Sequence, residues 1–136
     1  MRVYLPIQIV LDTNVIVSAL LSPNGIPGKI FDGAVLGRIL LCYDSRILLE
    51  YGLVLSRPKF NIDPIKLKII LDFIQRDGFS VIPPVLPDDF IDKTDKKFYE
   101  TAKFCHALLV TGKRKHFPPE DDEIITPTEF WNKYLC

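Results

Sequence analysis

Four acidic side chains stand at positions that a folded chain would bring together, and their type is suited to holding a hard cation. Asp12 directly follows an apolar run at residues 7–11, Glu50 lies within an apolar helical segment, and Asp95 begins a later helix, with Asp92 shortly before it. Ligands of open α/β sheets bind beyond the carboxyl ends of the strands. Carboxylates gathered there repel one another unless a divalent cation neutralises them, and all-oxygen ligands suit Mg²⁺ or Mn²⁺. One or two such ions can activate a water for attack on a phosphodiester.

Each of these acids also has an ordinary structural alternative. Asp12 and Asp95 both stand where an aspartate often caps the N-terminus of a helix. Glu50 could be a solvated helix residue paired with a neighbouring cation, and Asp92 could belong to a solvated loop. Capping and ion binding can coexist, because one carboxylate oxygen can cap while the other binds the ion. From the residues alone, both alternatives stay open.

The pattern of apolar runs and turn residues predicts strands that alternate with helices. Strands are predicted at residues 7–11, 39–43, 79–82, 107–111 and 124–125. Helices are predicted after Asp12, over residues 27–36, from Asp44 or Ser45 to Leu55, from Asp63 and Pro64 onward, over residues 95–105, and from Thr126 and Pro127 onward. This alternation indicates α/β architecture, a three-layer α/β/α sandwich around a mostly parallel sheet of four to five strands. Without a dividing linker, residues 1–136 are expected to form a single domain.

The bulk composition restricts the class of protein further. The chain has 136 residues, 48% of them hydrophobic, which suffices for a sizeable core. Seventeen Lys and Arg balance seventeen Asp and Glu, so binding to nucleic acid would need a local basic patch. The three cysteines lack metal-ligand spacing, and reduced thiols in a cytoplasm are the simplest interpretation. A signal peptide is not expected, because the N-terminus lacks a basic region followed by a long apolar segment and a small-residue cleavage site. A membrane span is not expected, because no apolar stretch reaches about 18 residues.

Five segments of the chain occur in the same order as the sequence motifs of a known protein family. They read IVLDTNVIVS at residues 9–18, LLEYGLVLSRPKF at 48–60, DKTDKKFY at 92–99, ALLVTG at 107–112 and ITPTEF at 125–130. In this order they resemble the PIN-domain family, and in particular its VapC-like branch of toxin components of toxin–antitoxin systems. The resemblance spans nearly the whole chain. It implies a PIN-like version of the α/β/α sandwich.

The resemblance also implies an activity and assigns roles to residues. The implied activity is a Mg²⁺- or Mn²⁺-dependent endoribonuclease, the toxin of a toxin–antitoxin pair, which hydrolyses RNA phosphodiesters with a metal-activated water. The implied catalytic residues and metal ligands are Asp12, Glu50 and Asp95, with Asp92 close by. Residues that would orient the ligands or the scissile phosphate are Asn14, Ser18 and Thr111.

Partners follow from the same resemblance. Besides its RNA substrate, the chain is expected to bind an antitoxin protein and to form a homodimer, with no membrane association. The aromatic residues Phe130, Trp131 and Tyr134 either pack in the core or, if they are exposed, form an interface with a dimer partner or an antitoxin.

One position departs from the family pattern. After Thr111 and Gly112 the family commonly has an aspartate, or in this branch sometimes an asparagine, whereas this chain has Lys113. A cation there would remove a ligand and repel a second metal ion, or it would contact a substrate phosphate as a point charge. A compensating ligand could come from Asp121 or Asp122. The chain is therefore either a PIN-type nuclease or a catalytically weakened PIN-like module that binds RNA or protein.

The densest basic run lies directly after the predicted fourth strand. It contains Lys113, Arg114, Lys115 and His116, and Arg57 could extend it in space. The run is either a solvated loop or a contact surface for RNA phosphates beside the acids. His116 is not expected to act as a catalytic base, since the implied chemistry uses a metal-activated water.

A phosphatase of the haloacid dehalogenase type is a further alternative. Such enzymes also place an aspartate after the first strand and use Mg²⁺. Their second residue after the nucleophile is normally another aspartate, whereas this chain has Asn14 there. The chain also lacks room for a cap domain. These two differences count against this alternative.

Overall fold

The computed structural model describes residues 5–90 and 92–135. Within these ranges the five strands form one sheet in the order β3-β2-β1-β4-β5, and every neighbouring pair is parallel. From β1 the chain continues to β2 and β3 on one side and then to β4 and β5 on the other side. Because the connections between parallel strands are right-handed, this reversal places helices on both faces of the sheet. The predicted three-layer α/β/α fold is confirmed. Among the described residues, no helix is both long and apolar enough to cross a membrane.

The elements lie close to their predicted positions. The strands are β1 Ile7–Leu11, β2 Ile39–Tyr43, β3 Phe79–Ser80, β4 Leu108–Val110 and β5 Ile124–Ile125. The helices are α1 Thr13–Leu21, α2 Ile26–Val35, α3 Ser45–Leu55, α4 Pro64–Asp77, α5 Lys96–Cys105 and α6 Pro127–Phe130. Short 3₁₀ turns are formed by Pro58–Phe60, Lys93–Asp95 and Arg114–His116, and a π turn follows α6 at Trp131–Leu135.

The central strands determine where the candidate site lies. The side chains of β1 and β4 form the middle of the core, where Ile9, Val10 and Leu109 are fully buried, as expected for strands covered on both faces. The register pairs Leu11 with Val110 at the ends of these strands. The next residues, Asp12 and Thr111, therefore leave the sheet side by side at its carboxyl edge.

Two elements differ from the prediction. The third strand was expected at residues 79–82 but ends at Ser80, shortly before Pro83, whose ring removes the donor that a ladder needs. The terminal helix is only one turn long and continues as a π turn. Phe130 is fully buried, so it packs in the core, whereas Tyr134 is 38% exposed.

Candidate active site

Asp12 is held at the carboxyl edge of the sheet by a threonine from the neighbouring strand. It occupies the N-cap position of α1 but makes no side-chain capping hydrogen bond. Instead, Thr111 Oγ1 donates to Asp12 Oδ2 at 2.6 Å, and Thr111 Oγ1 in turn accepts from the Lys113 backbone N at 2.9 Å. Asp12 is 1% exposed and Thr111 is fully buried. The side chain of Asp12 is thus positioned without serving as a helix cap.

Asp95 meets Asp12 through the side chain of Lys113. Asp95 ends the 3₁₀ turn Lys93–Asp95, is 1% exposed, and also makes no side-chain capping bond. The Lys113 ammonium donates to Asp95 Oδ1 at 2.7 Å and lies 4.0 Å from Asp12 Oδ2. His116 Nδ1 lies 2.9 Å from the other oxygen, Asp95 Oδ2. Two buried carboxylates, far apart in the sequence, therefore share one lysine.

The electrostatics show what the lysine does there. Burial raises the pKa of Asp12, and the hydrogen bond from Thr111 and the charge of Lys113 offset this only in part. Burial by itself lowers the pKa of Lys113, but its hydrogen bond to Asp95 and the charges of Asp12 and Asp95 outweigh that effect and raise it. Lys113 therefore carries its full charge at neutral pH and favours the ionised form of Asp12.

Glu50 and Asp92 do not join this pair directly. Glu50 lies half-buried on α3, where its carboxylate accepts from the hydroxyl of Thr13 and forms an ion pair with Lys97 Nζ at 2.7 Å. Glu50 thus contacts Thr13, the neighbour of Asp12 in the sequence, but its charge is balanced by Lys97. Asp92 caps the 3₁₀ turn by accepting from Thr94 N at 2.9 Å and from Thr94 Oγ1 at 2.7 Å.

Three residues of the basic run contact other groups of the protein. Lys113 and His116 contact Asp95, and Arg114 donates to the carbonyl oxygens of its own loop, at 3.2 Å to Pro119 and 2.8 Å to Asp121. Lys115 is exposed. Outside the run, the side chain of Arg57 is exposed, and so are the two polar residues of α1 with predicted orienting roles, Asn14 and Ser18. The assignments of Lys113, Arg114, Lys115 and Arg57 to RNA binding stay predictions.

The possible replacement ligand Asp121 has a different partner. Its carboxylate forms an ion pair with Lys103 of α5, and Lys103 also lies 3.5 Å from Glu123. Asp122 is exposed. The loop after β4 is thus fixed to α5 by charge, through Asp121, which the sequence suggested as a ligand, and through Glu123.

Sequence reasoning did not assign site contacts to Thr13, Lys97 or His116. Thr13 and Lys97 hold Glu50, and His116 holds Asp95. The available signal was proximity along the chain, since Thr13 follows Asp12, Lys97 lies two residues after Asp95, and His116 ends the basic run. Such proximity does not show which way a long side chain turns.

The residues as placed do not fit a divalent metal ion. Carboxylate oxygens are the ligands that Mg²⁺ and Mn²⁺ prefer. However, among residues 5–90 and 92–135, no group of three or more His, Cys, Asp or Glu side chains is arranged to hold a metal ion. Asp95 is engaged by Lys113 and His116, and Glu50 by Lys97. An ion could reach Asp12 and Asp95 together only after the Lys113 ammonium had left them.

Fold and site together define a class, an α/β/α protein with two buried aspartates at the carboxyl edge of a parallel sheet. The sequence profile of the PIN domain matches residues 8–115. The chain belongs to the PIN-domain family, which confirms the resemblance seen in its motifs.

Two known proteins are similar to this chain. The uncharacterized protein MJ1680 of Methanocaldococcus jannaschii is 35% identical over 136 residues, which cover 95% of this chain and 79% of that protein. A chain in the structure of FitAB bound to an IR36 DNA fragment superposes with a TM-score of 0.62 and 22% identity. The superposition covers 88% of this chain and 94% of that chain, and it supports the fold.

Proposed function

We propose that this chain is an endoribonuclease of the PIN type and acts as the toxin of a toxin–antitoxin pair in the cytoplasm. The observation that supports this function best is the convergence of Asp12 and Asp95 at the carboxyl edge of the sheet. Both acids are 1% exposed and neither caps a helix with its side chain. Burying two carboxylates side by side is unfavourable, and buried acids such as Asp12, whose pKa is raised by burial, cluster at functional sites.

The chain's own residues have definable roles in this function. Thr111 fixes the carboxylate of Asp12 in one orientation through its hydroxyl. Lys113, once it leaves Asp95, can contact a phosphate of the RNA as a point charge, and the exposed Lys115 lies beside it. Arg114 holds the loop that displays both lysines by donating to the loop's carbonyl oxygens.

Mg²⁺ or Mn²⁺ is the expected cofactor of this activity. Because the carboxylates as placed do not fit such an ion, we assign it no step of the reaction. Cleavage at this site requires that Lys113 first separate from Asp95, so that one oxygen of that carboxylate becomes accessible.

A second function is favoured by the same lysine. With Lys113 Nζ 2.7 Å from Asp95 Oδ1, the chain could be a PIN-like module that binds RNA or protein without cutting RNA. The two functions differ in what the wild-type protein does to RNA. They agree on the fold and on the placement of Asp12, Asp95 and Lys113.

Cleavage of RNA by purified protein separates the two functions. Wild type, Asp12→Asn and the control Asp72→Asn, which changes an exposed acid of α4, are incubated with labelled RNA, with Mn²⁺ or with EDTA. If the chain is a nuclease, Asp12→Asn lowers the cleavage rate by about 100-fold, the order that a positioned acid or base contributes, and the control does not. Equal cleavage by wild type and Asp12→Asn contradicts a nuclease site at Asp12. RNA binding without cleavage by wild type supports the second function.

A homodimer and an antitoxin complex are part of the proposal. An apolar face supports an interface, because Leu49 and Leu53 of α3 are 63% and 62% exposed and line one surface pocket together with Leu71 of α4. We propose that a second copy of the chain covers this face. Leu53→Glu should then shift the mass measured by light scattering from dimer to monomer, whereas Val35→Glu on α2, an equally exposed apolar position, should not.

A further inference from the structure

The ammonium of Lys113 lies between the two aspartates, beside the position that a shared metal ion would need. Lys113 Nζ lies 2.7 Å from Asp95 Oδ1 and 4.0 Å from Asp12 Oδ2. The side chains of these acids are 1% and 2% exposed, whereas that of Lys113 is 29% exposed. The cation thus reaches in from solvent to two acids that are themselves closed off from it.

We infer that Lys113 is a built-in cation that competes with a divalent metal ion for Asp12 and Asp95. Only one of the two can occupy the carboxylates at a time. This inference concerns the site of the proposed function, but it holds whether or not the chain cleaves RNA.

Charge and distance make the two cations mutually exclusive. Asp12 and Asp95 carry two negative charges when ionised, and Lys113 neutralises one of them. A Mg²⁺ ion binds oxygen at about 2.0–2.1 Å, so an ion shared by both carboxylates would lie beside the ammonium and be repelled by it. The ion must also compete for Asp95 Oδ1, the oxygen to which Lys113 donates its hydrogen bond.

The contacts of Lys113 allow it to leave. Its ammonium is a single point charge on a flexible stem, and both contacts recorded for it, to Asp12 and Asp95, are ionic. Asp95 keeps a contact with His116 on Oδ2 when Lys113 departs, and Asp12 keeps the hydrogen bond from Thr111. The acids therefore remain in place for an incoming cation while the lysine side chain moves.

Binding of Mn²⁺ in the absence of RNA tests the competition. Free Mn²⁺ is counted by electron paramagnetic resonance during titration of wild type, Lys113→Met, Lys113→Arg and Lys66→Met. Lys113→Met removes the charge at nearly constant length and should bind Mn²⁺ about tenfold more tightly than wild type, because the repulsion of one unit charge beside the ion is of this order. Lys113→Arg keeps the charge and should bind no more tightly than wild type, and Lys66→Met alters only an exposed lysine of α4 and should bind like wild type.

Further variants assign the new binding to the predicted acids. Adding Asp12→Asn to Lys113→Met should return the Mn²⁺ affinity to that of wild type. Lys113→Gln serves as a second neutral variant, and far-ultraviolet circular dichroism confirms that each protein is folded. The inference is overturned if wild type and both neutral variants bind Mn²⁺ equally, or if Lys113→Arg gains as much as Lys113→Met.

The outcome is independent of the cleavage assay. A wild-type protein that cleaves no RNA leaves the Mn²⁺ titration unchanged, because RNA is absent from it. Conversely, equal Mn²⁺ affinities of wild type and the neutral variants would remove the competition but not the nuclease function, which depends on the effect of Asp12→Asn.

Discussion

The protein contains two clusters of buried carboxylates, each bridged by one basic side chain. The clusters differ in whether the carboxylates also accept hydrogen bonds from the backbone. In the first, here named the arginine cluster, Arg46 bridges Asp44 at 2.6 Å and Glu100 at 3.0 Å. Asp44 also caps α3, accepting from Ile47 N at 2.9 Å, and Glu100 accepts from Leu86 N at 2.7 Å. Each acid of the arginine cluster thus also holds a backbone group.

The lysine cluster consists of Asp12, Asp95 and Lys113. Its acids cap no helix with their side chains, and their carboxylates contact Thr111, Lys113 and His116. Lysine presents a point charge, whereas the planar guanidinium of arginine can hold two oxygens at once. In the arginine cluster the cation is therefore a structural element, whereas in the lysine cluster it can be exchanged for another cation. Only the lysine cluster is suited to chemistry.

The largest expected effect on stability comes from breaking the arginine cluster. Arg46→Met leaves Asp44 and Glu100 buried without their cation, and it should lower the free energy of unfolding by about 3 kcal/mol. This loss of stability lies at the low end of the range for a broken buried ion pair, because the side chain of Arg46 is 44% exposed. Urea denaturation measures the loss, and Mn²⁺ should not restore it. Recovery with Mn²⁺ would show that this cluster, too, is exchangeable.

Removing Lys113 should have a smaller effect. Without a metal ion, Lys113→Met should lower the free energy of unfolding by about 1 kcal/mol, because Lys113 is partly exposed and His116 stays on Asp95. Excess Mn²⁺ should restore this loss by occupying the two carboxylates. The same urea titrations with and without Mn²⁺ test this, and an unrestored loss would mean that Lys113 is structural.

Neutralising Asp12 should stabilise the protein. Because burial raises the pKa of Asp12 above 3.8, the folded state binds a proton more readily than the unfolded state, so stability from this group is lost as the pH rises. Asp12→Asn should therefore be more stable than wild type at neutral pH by about 1 kcal/mol, as is typical when a functional site is relaxed. The difference should vanish below pH 3.8. Urea titrations across this pH range would contradict the prediction if the variant were less stable at neutral pH.

The smallest effect is expected at an ordinary surface pair. Lys68 and Asp72 are 2.7 Å apart on α4, with side chains 75% and 54% exposed. Lys68→Ala should change the free energy of unfolding by less than about 0.5 kcal/mol, since water and salt screen such pairs. The stability of Lys68→Ala, measured by the same urea denaturation, is the reference for the other variants. A loss as large as that of Lys113→Met would show that the exposure of an ion pair does not determine its contribution to stability.

The sequence predicted the sheet edge of the site well, because that edge depends on local patterns. The apolar run before Asp12 and the run before Thr111 had to be buried strands, and parallel strands end at the same edge. The third strand was predicted too long, because its apolar residues continue to Ile82 although Pro83 follows. Hydrophobic pattern locates elements better than it locates their ends.

The ion pairs of the site could not be predicted in the same way. Whether Lys113 contacts Asp95 or a substrate phosphate depends on how a flexible side chain turns after the chain has folded. Lys97 takes Glu50 because α5 packs against α3, a tertiary contact that no spacing along the chain encodes. His116 reaches Asp95 because a 3₁₀ turn of three residues directs the chain back toward it.

Helix α5 and the residue before it supply one member of each of four ion-pair groups. These members are Asp95, Lys97, Glu100 and Lys103, and their partners are, in order, Lys113, Glu50, Arg46 and Asp121. Amide hydrogens along this helix should therefore exchange with solvent together, as one cooperative opening unit. A partner protein that displaced α5 slightly would loosen the loops after β2 and β4 at the same time, so contact with one helix would reach both clusters of carboxylates.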